Sequence, residues 1–169
     1  NIVPIVEPEV LMDGGHDIDR CHEVTEWVLK TQFEELYYQR VALEGIVLKP
    51  NMAIAGKKSA KQASVEEVAE KTVKMLRNCV PGAVPGIAFL SGGQSDEDAT
   101  AHLDEMNKMG GGPWVLSFSY GRALQAAAQK AWSGRTENVA AGQRAYLHRV
   151  KMNSLAATGK WEQKLEKAA

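Results

Sequence analysis

The chain alternates short apolar runs with helical stretches, and this order constrains its fold more than any other feature. The runs at residues 2–6, 43–48, 87–90 and 114–118 are rich in β-branched and aromatic side chains and read as strands. A helical pattern follows each of them. Repeated strand–helix units imply right-handed crossovers and a parallel sheet. We therefore expect an α/β fold with four parallel strands.

The helical stretches show both periodicity and capping signals. The first, at residues 18–39, carries an apolar stripe through Cys21, Val24, Val28, Phe33 and Leu36. Ser64 and Glu67 form a capping box that predicts a second helix from residue 65. Ser95, followed by three acidic residues, predicts the start of a third. Two Ala-rich helices are predicted at about 121–132 and 137–157.

Four such units fit either an open doubly wound sheet or half of an eight-stranded barrel. An open sheet places its site at one switch point, whereas a barrel takes residues from the carboxyl end of every strand. Polar, reactive side chains follow all four predicted strands, starting at Glu7, Lys49, Ser91 and Ser119. That distribution favours a (β/α)8 barrel. Because such barrels typically run to about 250 residues, the chain corresponds to about half of one.

Lys49 is the candidate nucleophile. It lies at the end of an apolar run and is followed by Pro50, which ends a strand ladder. A lysine amine in a partly desolvated site can attack a carbonyl and form a Schiff base. Glu7 and Glu9 follow the first strand and could move protons for that reaction. The alternative is an ion-paired lysine with two solvated loop carboxylates.

Two glycine-containing turns are candidate phosphate sites. The first spans residues 91–95 and the second residues 117–122, and each leads into a predicted helix. Free N–H groups at a helix N-terminus favour phosphate, and Arg122 adds a guanidinium. The first turn matches neither the P-loop nor the dinucleotide fingerprint, and alone it is equally compatible with a simple helix entry. Together, after the last two strands, the turns lie where barrel enzymes usually bind phosphate.

Composition excludes several classes of partner. The 20 basic and 21 acidic residues nearly cancel, which argues against nucleic acid and anionic membranes as partners. No apolar run is as long as a membrane span, and no signal peptide is recognisable. Cys21 and Cys79 lack metal-site spacing and fall on predicted helices, so we expect reduced thiols in a cytoplasmic protein. The four histidines show no metal-ligand spacing either, and no metal or cofactor is expected.

Six segments resemble class I fructose-1,6-bisphosphate aldolase in order and spacing, over essentially the whole chain. They read VPIVEPE at 3–9, LEG at 43–45 with LKPNM at 48–52, FLSGGQS at 89–95, FSYGRALQ at 118–125, KAWSG at 130–134 and NSLA at 153–156. The resemblance implies the second half of a (β/α)8 TIM barrel, from the fifth strand onward, with extra C-terminal helices. Residues 1–169 would then be the C-terminal half of a single domain whose first four units are absent.

The resemblance also implies a function. Members of this family cleave fructose 1,6-bisphosphate reversibly to dihydroxyacetone phosphate and glyceraldehyde 3-phosphate, in glycolysis and gluconeogenesis, without a metal and usually as homotetramers. The resemblance implies that Lys49 is the Schiff-base lysine, Glu7 the general acid/base and Glu9 a supporting carboxylate. The remaining site residues would bind the phosphate on the ketone side: Ser91, Gly92, Gly93, Ser119, Gly121 and Arg122.

Two departures from the family pattern matter. The family's aspartate on the first strand and its basic residues on the third and fourth have no counterpart here, so the chain alone is expected to be inactive. The chain also ends without the terminal tyrosine of many members, like some short bacterial ones. Three alternatives stay open: another Schiff-base barrel enzyme such as a transaldolase, a phosphosugar-binding module without catalysis, and a purely structural half-barrel.

Overall fold

The computed structural model describes residues 2–167 and has the expected α/β architecture, with four parallel strands each followed by a helix. The strands are β1 (Ile5–Val6), β2 (Val47–Leu48), β3 (Gly86–Phe89) and β4 (Val115–Phe118). They form one sheet in the order β1-β2-β3-β4, so each strand pairs with its neighbour in the sequence. The fold class predicted from the alternating pattern is confirmed.

Residues 2–167 contain five α-helices. They are α1 (Ile18–Tyr38), α2 (Val65–Cys79), α3 (Asp96–Lys108), α4 (Arg122–Trp132) and α5 (Val139–Ala156). The predicted caps are present: the Ser64 hydroxyl accepts from the Glu67 N–H (3.2 Å), and the Ser95 hydroxyl accepts from the Asp98 N–H (3.1 Å). None of the helices described is both long enough and apolar enough to cross a bilayer.

The first two predicted strands are too long, whereas the last two are correct to within one residue. Pairing of the first strand begins only at Pro4, whose carbonyl accepts from the Val47 N–H (3.0 Å). The second strand is shortened because Leu43–Gly45 form a 3₁₀ turn. Within that turn the amides of Gly45 and Ile46 bond to carbonyls three residues earlier, which removes them from the ladder.

Strands β2, β3 and β4 contribute large apolar side chains to the core. Leu48, Ile87, Phe89 and Leu116 are all at most 2% exposed. Helix α2 packs between α1 and α3, and α5 packs on α3 and α4. Both cysteines are free thiols, as expected from the sequence.

Within residues 2–167 neither edge of the sheet is covered by a further strand. Both edge strands also carry an exposed apolar side chain, Ile5 on β1 (57%) and Val115 on β4 (69%). Four parallel strands do not close a barrel, so the sheet keeps two open edges that present unpaired backbone groups.

Candidate active site

The carboxyl ends of the four strands lie in one row, because backbone hydrogen bonds continue just past each strand. The three bonds run from the Lys49 N–H to the Val6 carbonyl (2.7 Å), from the Leu90 N–H to the Pro50 carbonyl (3.1 Å) and from the Ser119 N–H to the Phe89 carbonyl (2.9 Å). The segments that begin at residues 7, 49, 91 and 119 therefore all leave the sheet at the carboxyl ends of its strands, which we call the carboxyl edge. Parallel α/β sheets place their ligand sites at this edge.

Lys49 and Glu7 form an ion pair at this edge. The Lys49 Nζ lies 2.9 Å from Glu7 Oε1. Lys49 follows the fully buried Leu48, and its side chain is 20% exposed, whereas that of Glu7 is 47% exposed. The amine is thus partly desolvated and directly beside a carboxylate that solvent and a ligand can reach. Such a pair can supply a nucleophile and a proton acceptor to the same carbonyl.

Glu9 lies against the first candidate phosphate turn. A Cβ added at Gly92 would lie 3.1 Å from Glu9 Oε1. The structure therefore brings Glu7 together with Lys49, and Glu9 together with Gly92. A phosphate bound at the Gly92 amide would face the Glu9 carboxylate, so Glu9 limits how closely an anion can approach this turn from the β1 side.

The turn after β3 has a shape that requires glycine. The Gln94 N–H donates to the Ser91 carbonyl (3.2 Å), and Gly93 between them has a φ of +80°. A Cβ at Gly93 would also lie only 2.7 Å from the Met12 Cβ. This geometry turns the chain sharply from the buried Ser91 into helix α3.

We expect Gly93→Ala to lower the free energy of unfolding by about 2–4 kcal/mol, because it adds left-handed backbone strain to a clash with Met12. Denaturant unfolding of the whole protein measures the change. Gly45→Ala is the matched control, since a Cβ there meets no atom within 4 Å and its φ is not positive. That control should change stability by less than about 1 kcal/mol. Equal effects at both glycines would contradict the constrained turn.

The second turn leads into helix α4, which has no side-chain cap. Gly121 is its N-cap, and its carbonyl accepts from the Leu124 and Gln125 N–H groups (3.2 and 3.1 Å). In the part of the chain that the structure describes, no backbone carbonyl accepts from the N–H groups of Gly121, Arg122 or Ala123. Arg122 is exposed at this first turn and Ser119 is half-buried. Free amides beside a guanidinium suit an anionic ligand.

His102 supports the first turn, and sequence reasoning did not find this role. The His102 Nδ1 lies 2.6 Å from Gln94 Oε1, and the residue is 7% exposed. Burial lowers the pKa of His102 to about 4, so the imidazole is neutral near pH 7 and its Nδ1–H donates to Gln94. In the sequence, His102 is recognisable only as a residue of a predicted helix without metal-ligand spacing. A side-chain hydrogen bond between residues eight positions apart, such as His102 and Gln94, leaves no sequence motif.

His102 also predicts a pH dependence of stability. Between its ordinary pKa of about 6.5 and its folded pKa of about 4, the unfolded chain binds a proton that the folded protein does not. Stability therefore falls as the pH falls through this window, by about 2–3 kcal/mol between pH 7 and 4.5. Chemical denaturation at both pH values tests this, with His102→Gln as the comparison. Between pH 7 and 4.5, the stability of the variant should fall by about 2–3 kcal/mol less than that of the wild type. The same fall in both proteins would contradict the low pKa of His102.

Comparisons with known proteins agree with this geometry. The family model for class I fructose-bisphosphate aldolase matches residues 1–169. A probable class 1 fructose-bisphosphate aldolase from Xanthomonas campestris is 58% identical over 162 residues, which is 95% of this chain and 48% of that protein. The cytoplasmic isozyme of fructose-bisphosphate aldolase from Spinacia oleracea is 54% identical over 162 residues, covering 95% of this chain and 45% of that protein.

A solved structure of the fructose-bisphosphate aldolase from Plasmodium falciparum, in complex with TRAP and a small-molecule inhibitor, superposes with a TM-score of 0.92 at 48% identity. The match covers 95% of this chain and 46% of that one. The chain thus spans about half the length of the curated relatives it matches. The four parallel strands and their helices correspond to part of an aldolase barrel.

Proposed function

Because the chain belongs to the class I fructose-bisphosphate aldolase family, we propose that the whole protein cleaves fructose 1,6-bisphosphate reversibly to dihydroxyacetone phosphate and glyceraldehyde 3-phosphate. The observation that carries this proposal is the 2.9 Å contact between Lys49 Nζ and Glu7 Oε1 at the carboxyl edge of the sheet. It joins a partly desolvated amine to an accessible carboxylate, as Schiff-base chemistry requires.

In the proposed reaction the Lys49 amine attacks the ketone carbon of the substrate. Glu7 transfers the protons that allow the carbonyl oxygen to leave as water, and an iminium forms on Lys49. A general base takes the proton of the hydroxyl on the far carbon of the adjacent carbon–carbon bond, and the iminium accepts the electron pair of that bond as it breaks. This step gives an enamine and releases the aldehyde product. Protonation of the enamine and addition of water then return the free amine and the ketone product.

The two turns provide the proposed site for the phosphate on the ketone side. Ser91, Gly92 and Gly93 form the first turn, and Ser119, Gly121 and Arg122 line the start of α4. Holding this phosphate places the ketone carbon next to Lys49, which makes the attack effectively intramolecular. Glu9, which follows β1 and lies beside Gly92, does not bind the phosphate and is proposed as a supporting carboxylate for the chemistry of Lys49 and Glu7.

We further propose that residues 1–169 form the C-terminal half of one (β/α)8 barrel. The unpaired edges of β1 and β4 support this arrangement, since a closed barrel would cover both.

The proposed whole protein is cytoplasmic, as its spinach relative is by name. We also propose a homotetramer, for which the exposed aromatic residues on α1, Trp27, Tyr37 and Tyr38, offer apolar surface. Mass measurement of the native protein tests the subunit number.

Removing the guanidinium tests the phosphate part of the proposal. Arg122→Ala should weaken the binding of dihydroxyacetone phosphate by about 10–100-fold, because a charge-assisted hydrogen bond is worth roughly 1.5–3 kcal/mol. Binding of unphosphorylated dihydroxyacetone should stay within about 2-fold, and calorimetry measures both. Arg135→Ala, which removes another exposed arginine, is the matched control and should change neither. Equal losses for the two ligands would contradict a phosphate role for Arg122.

A further inference from the structure

Asn51 is a buried amide that joins three segments around Lys49. It lies two residues after Lys49 and is 1% exposed. Its Oδ1 accepts from the Val10 N–H (2.9 Å), and its Nδ2 donates to the Thr25 hydroxyl and to the Met52 carbonyl (3.1 Å each). The side chain thereby connects the loop after β1, the loop after β2 and helix α1.

The bond to Val10 fixes the segment that carries both candidate carboxylates. The backbone ladder between the first two strands ends where the Lys49 N–H donates to the Val6 carbonyl. Beyond this point, the next hydrogen bond from the backbone of the loop after β1 to the loop after β2 is that of the Val10 N–H with Asn51. This holds within the described residues. Glu7 and Glu9 therefore lie on a short segment that is anchored at Val6 and again at Val10.

We propose that Asn51 is a positioning residue, which holds the segment with Glu7 and Glu9 at the distance from Lys49 at which protons can be exchanged. This inference rests on the proposed function of Lys49 and Glu7. Without the Asn51 oxygen the partly buried Val10 N–H loses its acceptor, and the segment loses its second anchor. A displacement of about 1 Å at reacting groups can lower a rate up to about 100-fold.

The test compares kcat with KM for Asn51→Ala in the whole protein. We expect kcat for fructose 1,6-bisphosphate to fall by about 10–100-fold. KM should change by less than about 3-fold, because the proposed phosphate turns follow β3 and β4 and contain none of the three partners of Asn51. In single-turnover experiments, borohydride should trap the imine on Lys49 correspondingly more slowly.

Thr72→Val is the matched control. Thr72 is fully buried, and its hydroxyl accepts from the Ala53 N–H (3.0 Å), so the variant also removes a side-chain acceptor from a backbone amide near Lys49. Ala53 has no candidate carboxylate beside it in the sequence. The control should destabilise the protein yet keep kcat within about 3-fold. Should Asn51→Ala not fold, Asn51→Ser replaces it, since its hydroxyl is one bond shorter than the amide but still polar.

The outcomes separate this inference from the proposed function. Wild-type protein that forms a trapped imine on Lys49, together with a slow Asn51 variant and a fast Thr72→Val, supports the positioning role. An Asn51 variant with wild-type kcat and trapping rate overturns it, and so does an equal loss in Thr72→Val. Wild-type protein without any trapped imine on Lys49 overturns the proposed function and this inference with it.

Discussion

Replacing Lys49 with methionine is expected to abolish cleavage of fructose 1,6-bisphosphate by the whole protein, with kcat falling by roughly 10⁴-fold or more. The variant removes the amine that is proposed to form the Schiff base, so the iminium that would accept electrons from the breaking bond cannot form on this residue. Methionine keeps the unbranched stem of the side chain. Since Glu7 is half exposed, loss of the ion pair should cost the fold little.

Lys57→Met is the control for this prediction. Lys57 lies on the same loop and forms an ion pair with Asp13 (3.3 Å), but its side chain is 46% exposed. We expect its kcat to stay within about 2-fold of wild type, since exposed pairs contribute little. Steady-state assays of both variants measure kcat, and thermal melts show whether each variant is folded. A folded Lys49→Met that retains even a tenth of the activity would contradict the proposed nucleophile.

Residues 1–169 produced alone are expected to show no steady-state turnover, although Lys49 and Glu7 are both present. Four parallel strands leave two open edges, and the exposed Ile5 and Val115 lie on those edges. Such edges favour pairing with further strands, so self-association is the expected outcome. A dimer formed in this way would duplicate the same site residues and would not supply the aspartate and basic groups that the family resemblance places elsewhere.

A cleavage assay combined with size-exclusion chromatography tests this prediction, with the whole protein assayed in parallel. The expected result is an oligomer or aggregate whose turnover is at the background level. A monodisperse monomer with turnover near that of the whole protein would show that residues 1–169 contain every group that the reaction needs.

The parallel strands and the helices could be predicted from the sequence because local patterns encode them. Alternation of apolar runs and helical stripes, together with the Ser64 and Ser95 caps, places all five helices. The pattern fails at Leu43–Gly45, where an apolar residue continues the run in the sequence but the backbone closes a 3₁₀ turn. The hydrogen bonds of this turn join residues 42–46 alone, and the apolar run carries no signal that distinguishes them from a strand ladder.

The buried polar contacts could not be predicted in the same way. The apolar stripe of α1 predicts that Val24 and Val28 are buried, but both are only half-buried. Thr25, which is not part of the stripe, is 1% exposed. Thr25 can be buried because its hydroxyl accepts from Asn51, a residue 26 positions later, which offsets the loss of water as a partner. Hydropathy cannot indicate a polar residue whose burial depends on a distant partner. The pair of Lys49 and Glu7 was predictable because both follow strands that lie side by side.

Borohydride reduction in the presence of dihydroxyacetone phosphate, followed by peptide mapping, tests the central claim most directly. The lysine that forms the imine becomes a stable secondary amine and carries the mass of the ligand. We expect that mass on Lys49 of the whole protein and none in the Lys49→Met variant. Ligand mass on Lys57, Lys58 or Lys61, or no covalent adduct at all, would contradict the proposed role of Lys49.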